Sequence, residues 1–220
     1  MKNLVVFGTG QIGELAHYYF AKDTDYRVVA FTVDSAFLSS DLFLGLPVLA
    51  FETLEEHFSP EDNDLFVAVS YTQMNRVRSD KCSEGRSKGF KLASYVSTRA
   101  MVFDNVVHGD NCFILENNVV QPFVRIGNNC TFWSGNHIGH HSVIEDDCFI
   151  SSHVVVSGGV NVGKGSFLGV NATIRDHITL GEETLVGAGA LILDSTEPQS
   201  VYAARPTEVR AIKSTKMQRI

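Results

Sequence analysis

The chain has 220 residues, of which 44% are hydrophobic and 20% charged; this is an ordinary globular composition with room for two small domains. A formal net charge of −7, without any Lys/Arg cluster, argues against nucleic acid as the main partner. No apolar run approaches the ~20 residues of a membrane span, and Asn3–Phe7 reads into a strand without a signal-peptide pattern. We therefore expect a cytoplasmic protein with no membrane partner.

The first part of the chain alternates apolar and amphipathic segments, which predicts a parallel sheet flanked by helices. The predicted order is strand, helix, strand, short helix, strand, helix and closing strand: Leu4–Phe7, Gln11–Lys22, Arg27–Val33, Thr53–Phe58, Leu65–Ser70, Asn75–Lys88 and Leu92–Val96. We expect this Rossmann-like half-domain to cover residues 1–95.

A G-x-G-x-x-G motif, Gly8-Thr9-Gly10-Gln11-Ile12-Gly13, follows the first strand and opens the first helix. Backbone N–H groups there can hold a phosphate, and Asp34, after the second strand, could bind a ribose hydroxyl. Taken alone, the motif predicts NAD. The region is only about half of a dinucleotide fold, so a mononucleotide or a nucleotide-sugar fits it better. A tight turn without a ligand is the alternative.

The second part of the chain has an apolar residue at every sixth position. Neither a helix nor an exposed strand has this period, whereas a parallel β-helix does, with three six-residue units to a triangular coil. We expect the series to point inward and to stack in one column: Ile114, Val120, Ile126, Phe132, Ile138, Ile144, Ile150, Val156, Val162, Leu168, Ile174, Leu180, Val186 and Ile192. Glycine often follows, where a corner leaves little room for a Cβ: Gly127, Gly139, Gly163, Gly169, Gly181 and Gly187.

Three cysteines, Cys112, Cys130 and Cys148, are spaced by eighteen residues and should stack at one corner. No histidine or carboxylate is in register with them, so we interpret them as small buried thiols. We expect no disulfide and no metal site.

Histidines cluster within Asn136–His141, and His153 follows. If Ile138 points inward, His140 lies just after the corner at Gly139 and can project outward. Packing of the prism against copies of itself would place that corner at a subunit boundary, where a histidine can act as a general base. The alternative is a solvated surface histidine.

These two parts, with Ile138-Gly139-His140-His141-Ser142-Val143-Ile144 in the prism, resemble the bacterial sugar acyltransferases typified by sialic acid O-acetyltransferases. The layout is closest to the nucleotide-linked 4-amino-sugar N-acetyltransferases, and the resemblance covers roughly Lys2 to Arg210. It implies a left-handed β-helix over residues 96–196, followed by an irregular tail over 197–220. It also implies a homotrimer with acetyl-CoA in the groove between neighbouring prisms and a nucleotide-sugar on the N-terminal domain.

The resemblance also implies roles for single residues. His140 would be the general base, with His141 as a second catalytic candidate. The coenzyme would be contacted by Phe149, His153, Gly158, Val170 and Ala188. The nucleotide-sugar would be contacted by Gly8, Gly10, Gln11, Asp34 and Ser70.

Two positions depart from the family pattern. The residue after the catalytic histidine is often acidic in relatives, whereas here it is His141, so the candidates to replace that acid are Glu145, Asp146 and Asp147. Phe149 stands where relatives often carry a coenzyme-contacting histidine, a task that His153 could take.

The resemblance therefore implies an acetyl-CoA-dependent N-acetyltransferase that acts on a nucleotide-linked amino-deoxy sugar for bacterial surface glycan, such as lipopolysaccharide, synthesis. One alternative is O-acetylation of a sugar of the sialic acid type. Another is a non-catalytic scaffold, in which the prism only trimerises a nucleotide-binding domain.

Overall fold

The computed structural model describes residues 1–209 and 211–216. Its N-terminal domain contains one sheet, with strand order β3-β4-β2-β1-β5, in which only β3 is antiparallel to its neighbour. The strands are β1 (Lys2–Phe7), β2 (Tyr26–Val33), β3 (Leu42–Phe43), β4 (Leu46–Ala50) and β5 (Asn63–Val67). The helices are α1 (Gln11–Asp23), α2 (Leu54–His57) and α3 (Arg76–Ser87), with 3₁₀ turns at Ser35–Phe37 and Phe51–Thr53.

The predicted alternation of strands and helices is present, with differences at the edge of the sheet. Strands β3 and β4 were not predicted; β3 has two residues, and β4 has Pro47 as its second residue, so neither has a strong strand pattern. The predicted strand Leu65–Ser70 ends instead at Val67, which leaves 68–75 as a loop between β5 and α3.

The second domain is a triangular prism of parallel two-residue strands. One face, which we call the domain face, is built from β6 (Tyr95–Val96), β9 (Phe113–Ile114), β12 (Thr131–Phe132), β15 (Phe149–Ile150), β18 (Phe167–Leu168), β21 (Leu185–Val186) and β23 (Val201–Tyr202).

The other two faces are open to solvent in the single chain. The first open face contains β7 (Met101–Val102), β10 (Val119–Val120), β13 (His137–Ile138), β16 (Val155–Val156), β19 (Thr173–Ile174) and β22 (Leu191–Ile192). The second open face contains β8 (Val107–His108), β11 (Arg125–Ile126), β14 (Val143–Ile144), β17 (Asn161–Val162) and β20 (Thr179–Leu180).

Four-residue turns join the faces at three corners. The open corner lies between the two open faces and includes residues 121–124, 139–142, 157–160 and 175–178. The packed corner, between the second open face and the domain face, includes 109–112, 127–130, 145–148 and 163–166. The side corner, between the domain face and the first open face, includes 133–136, 151–154, 169–172 and 187–190.

The predicted inward column is confirmed, since all fourteen side chains are at most 4% exposed. The glycine corners are tight as expected: a Cβ on Gly139 would lie 2.5 Å from the carbonyl carbon of Ser157. The coils begin already at Tyr95, and His108 pairs with Ile126 of the inward column but is exposed. The prediction of a wholly irregular tail was wrong, because Val201–Tyr202 adds a last strand to the domain face.

The cysteine stack is also as predicted. Cys112, Cys130 and Cys148 are buried and free, and each thiol lies near a carbonyl oxygen of the following coil, as Cys130 Sγ does at 3.1 Å from Glu145 O. Burial holds the pKa of the Cys130 thiol well above its ordinary value. These thiols are therefore packing groups.

The N-terminal domain covers the domain face and shares a core with it, in which Phe20 and Phe66 pack with Tyr95 and Phe113. Helix α1 reaches the side corner, where the Tyr19 hydroxyl donates to Glu116 (2.9 Å). Helix α3 lies along the packed corner. Within the described residues, no helix is long and apolar enough to cross a membrane. Because α1 contacts the side corner and α3 the packed corner, the open corner is the one that the N-terminal domain of the same chain does not cover.

Candidate functional site

The three glycines of the G-x-G-x-x-G motif have different surroundings. A Cβ on Gly8, which has φ +114°, would lie 2.8 Å from Ala68 O, and a Cβ on Gly13 would clash with Gly8 O. Both glycines are therefore required by packing of the turn. A Cβ on Gly10 would meet nothing within 4 Å. The fold therefore has room for a side chain at Gly10, and glycine at this N-cap position leaves the backbone open to close approach by a ligand.

Helix α1 begins next to Gly10 without a side-chain cap. Its first backbone N–H groups therefore have no side-chain acceptor, and the helix dipole favours an anion there. A cavity of about 140 Å³ adjoins this turn and is lined by Thr9, Val33, Phe37, Ser39, Ser40, Leu42, Phe43 and Val48. The arrangement suits a phosphate at the helix terminus with an attached group in the cavity.

Two other predicted nucleotide-sugar residues lie at the same edge of the sheet but already have partners. Asp34 forms an ion pair with Lys81 (2.8 Å), and its side chain is 24% exposed, so part of its carboxylate remains accessible. Ser70 lies in the loop after β5, and its carbonyl accepts a hydrogen bond from Arg78 (3.1 Å). The loop starts beside the glycine turn, since Ala68 N–H donates to Phe7 O (2.9 Å).

At the open corner, His140 projects outward from the turn after Gly139 and is exposed. Its backbone N–H donates to the Gln121 side chain (2.9 Å). Its ring packs on the next coil, where a Cβ on Gly158 would lie 2.8 Å from both Nε2 and Cε1. Gly158, predicted as a coenzyme residue, therefore provides the surface on which the His140 ring rests.

The next residue, His141, turns its ring toward His140. The two Nδ1 atoms are 3.1 Å apart, and His141 also packs against Phe123, with ring centroids 4.7 Å apart. His141 has φ +60°, which is uncommon for a residue with a Cβ and places the two adjacent side chains on the same side.

The carboxylates proposed to assist His140 are elsewhere. Glu145, Asp146 and Asp147 all lie at the packed corner, where their oxygens accept hydrogen bonds from Lys164, Asn128 and Ser79, respectively. Because a whole prism face separates the two corners, none of these three supports His140 in the same chain. Within one chain, the neighbour of His140 Nδ1 is His141.

The remaining predicted coenzyme residues are divided between two places. His153, Val170 and Ala188 are exposed and lie at the side corner, with Val170 and Ala188 one coil apart. Phe149 lies on the domain face, is 2% exposed, and packs against Tyr71 and Phe167. Its environment is therefore that of an interdomain contact, and we remove it from the coenzyme residues.

Arg78 is a further residue at the junction of the two domains, and no sequence pattern indicated it. It is 1% exposed and joins the loop after β5 to the packed corner. Its guanidinium donates to the side chains of Asn75 (3.2 Å) and Asn129 (2.9 Å) and to carbonyl oxygens that include Ser70 and Asp147. Burial lowers its pKa.

Comparisons with known proteins agree with this architecture. Residues 105–140 match the family described as "Bacterial transferase hexapeptide (six repeats)". Serine acetyltransferase 4 from Arabidopsis thaliana is 32% identical over 101 residues, which are 41% of this chain and 28% of that protein. The chain thus spans under a third of the length of this curated relative.

Two solved structures are similar along almost the whole chain. The acetyltransferase domain of PglB from Neisseria gonorrhoeae FA1090 is 25% identical, with a TM-score of 0.84 over 94% of this chain and 99% of that one. It has also been solved with acetyl coenzyme A. PerB from Caulobacter crescentus, solved with CoA and GDP-perosamine, is 22% identical, with a TM-score of 0.68 over 96% of this chain and 98% of that one.

The fold is a left-handed β-helix behind an N-terminal α/β sheet, and part of the β-helix matches the hexapeptide repeat. The predicted fold class is confirmed, and so is the resemblance to bacterial sugar acyltransferases. The match to the PglB domain includes the N-terminal sheet as well as the prism, so both domains have counterparts in one known structure.

Proposed function

We propose that this protein transfers an acetyl group from acetyl-CoA to the amino group of a nucleotide-linked amino-deoxy sugar, with His140 as the general base. The observation that carries the proposal is the open corner, where an accessible histidine is held in a fixed position by Gly158 and His141. The similarity to the PglB acetyltransferase domain supports acetyl transfer.

The N-terminal domain is the proposed site for the nucleotide-sugar. The uncapped start of α1 and the open space at Gly10 suit a diphosphate, and the adjoining cavity suits part of the nucleoside. PerB, which shares the fold, has been solved with a nucleotide-sugar of this class, GDP-perosamine.

In one chain, the proposed nucleotide site is on the N-terminal domain, which covers the domain face, and His140 is at the opposite corner of the prism. The body of the prism lies between them, so a bound sugar would reach His140 only on a neighbouring chain. We therefore propose a homotrimer with three shared active sites. The outward column of the first open face is mostly apolar, and three of its residues are exposed in the single chain: Met101 (60%), Val155 (38%) and Leu191 (61%). This supports burial of that face between subunits.

The chemistry requires few groups. His140 Nε2 would take a proton from the amine as the amine nitrogen attacks the thioester carbonyl; the C–S bond then breaks, and CoA leaves as the thiol after its sulfur takes that proton from His140. No covalent enzyme intermediate is needed, which agrees with cysteines that are buried and bonded to backbone carbonyls. A positioned base contributes about 10²–10⁴-fold, and alignment of the two substrates contributes the rest.

Release of thiol from acetyl-CoA, measured with a panel of UDP-, dTDP- and GDP-linked amino sugars, tests the proposal. We expect thiol release only with an amino-sugar acceptor, and mass spectrometry of the product should show one added acetyl group on nitrogen. Transfer to the hydroxyl of a sugar without a free amine would support the O-acetyltransferase alternative. Nucleotide-sugar binding without any thiol release would support the scaffold.

A further inference from the structure

The two adjacent histidines at the open corner form a pair rather than two independent side chains. Their rings meet nearly at right angles (85°), with centroids 5.2 Å apart and Nδ1 atoms 3.1 Å apart. Among the described residues, this is the only side-chain hydrogen bond that either ring makes.

An Nδ1–Nδ1 hydrogen bond needs one protonated nitrogen and one lone pair, so it ties each neutral ring to one tautomer. If His140 Nδ1–H donates, the lone pair of His140 is on Nε2, which lies beside Gly158 in an exposed side chain. If His141 donates instead, His140 carries its proton on Nε2 and cannot accept another there. Only the first order gives the base that acetyl transfer to an amine requires.

The position of His141 is held by the coil beneath it. Its backbone N–H donates to Pro122 O (3.2 Å), and its ring lies against Phe123 with an interplanar angle of 32°. The left-handed backbone at His141 then turns the ring toward His140. The acceptor for His140 Nδ1–H is therefore built into the corner.

We propose that His141 is a positioning residue that accepts the Nδ1 proton of His140 and thereby keeps Nε2 free as the base. When Nε2 takes the proton from the amine, the His140 imidazolium shares its Nδ1–H with His141, which disperses the new charge; Nε2 then gives the proton it took up to the departing CoA sulfur. This inference rests on the proposed function. In it, the neutral His141 ring does what the acidic residue at this position is expected to do in relatives.

Three substitutions at one position separate this role from packing. Asn and Asp put an oxygen at the same bond distance from the backbone as His Nδ1, and both tolerate a left-handed backbone, as does Gly. His141→Gly, which has no acceptor, should lower kcat by about 10- to 100-fold, the usual effect of losing an orienting partner, with little change in either KM. His141→Asn should recover most of this loss, and His141→Asp should equal or exceed the wild type.

The matched control is His177→Asn, two coils away in the same corner column, exposed and with φ +56°. It should leave kcat unchanged. Equal loss in the Gly and Asn variants, or no loss in the Gly variant, would overturn the inference.

Nitrogen-15 spectra of the histidine rings, recorded in alkaline buffer without substrates, provide a readout that does not need activity. The signals lost in His140→Ala should identify an Nδ1–H tautomer in the wild type, and His141→Gly should convert much of it to the Nε2–H form. An Nε2–H tautomer of His140 in the wild type would contradict the pair even if the protein acetylates amino sugars. An Nδ1–H tautomer together with no thiol release for any amino sugar would instead count against the proposed function alone.

Discussion

The packed corner and the open corner are built from the same repeat but use it differently. At the packed corner, the left-handed positions carry Asn111, Asn129 and Asp147, which hydrogen-bond to one another along the prism and also meet the N-terminal domain. At the open corner, the equivalent positions carry Phe123 and His141, and both are exposed. The backbone thus offers the same outward positions at both corners. Where the N-terminal domain covers these positions, their side chains join the two domains; where it does not, the side chains stay exposed.

The largest effect should come from the open corner. His140→Ala should lower kcat by about 10²–10⁴-fold, because it removes the proposed base. The fold should be unchanged, since the side chain is exposed and contributes nothing to the inward column. Circular dichroism and light scattering would verify fold and oligomer, and His177→Ala is the control for an exposed histidine at the same corner. Near-normal turnover in His140→Ala would remove His140 from the mechanism.

At the packed corner, the expected loss is in stability. Arg78→Met should lower the free energy of unfolding by about 3 kcal/mol or more, because the side-chain oxygen of Asn75 and the backbone carbonyl of Asn129 would be buried without their donor. Urea unfolding measures this loss. The control is Arg27→Met, which removes an exposed arginine whose guanidinium donates to the Asn3 side chain. If both variants unfold at the same urea concentration, Arg78 does not join the two domains.

A smaller effect on catalysis should come from the surface beneath the base. Gly158→Ala places a Cβ 2.8 Å from the His140 ring, which must then move. We expect kcat to fall by about tenfold, as for modest misplacement of a reacting group. In a double-mutant cycle, Gly158→Ala should lower kcat only slightly when His140 is already replaced by Ala. Full additivity would show that Gly158 acts independently of His140.

The smallest effect on the protein itself should come from Gly10→Trp. Since nothing lies within 4 Å of a Cβ there, the free energy of unfolding should change by only about 0.5 kcal/mol. The KM for the nucleotide-sugar should rise at least tenfold while that for acetyl-CoA stays constant. Gly13→Ala is the contrasting variant, because its Cβ would clash with Gly8 O and should destabilise the turn. An unchanged KM for the nucleotide-sugar would place the nucleotide elsewhere.

Much of the fold could be predicted because the repeat is local. The inward position and the tight corner recur every six residues, so the period alone specifies the column from Ile114 to Ile192. The edge strands β3 and β4 could not be predicted, because β3 has only two residues and β4 contains Pro47, so neither shows the alternation of a strand. Arg78 reads as one more charge on a polar helix, since its partners Asn129 and Asp147 are 51 and 69 residues away.

The site was only partly accessible to sequence reasoning. His140 follows directly from the register of the repeat, because its distance from Ile138 places it after a corner. The contact between His140 and His141 could not be foreseen, since adjacent side chains converge only when one has a left-handed backbone. The carboxylates Glu145–Asp147 are near His140 in sequence but lie a whole face away.

The most direct test of the account is subunit complementation between two defective variants. His140→Ala and Gly10→Trp chains would be mixed, denatured, refolded together and assayed for thiol release at a nucleotide-sugar concentration below the KM of the Gly10 variant. If each site takes His140 from one chain and the nucleotide site from another, random trimers should regain about a quarter of wild-type activity. Activity no higher than the sum of the separately refolded variants would contradict a site shared between chains.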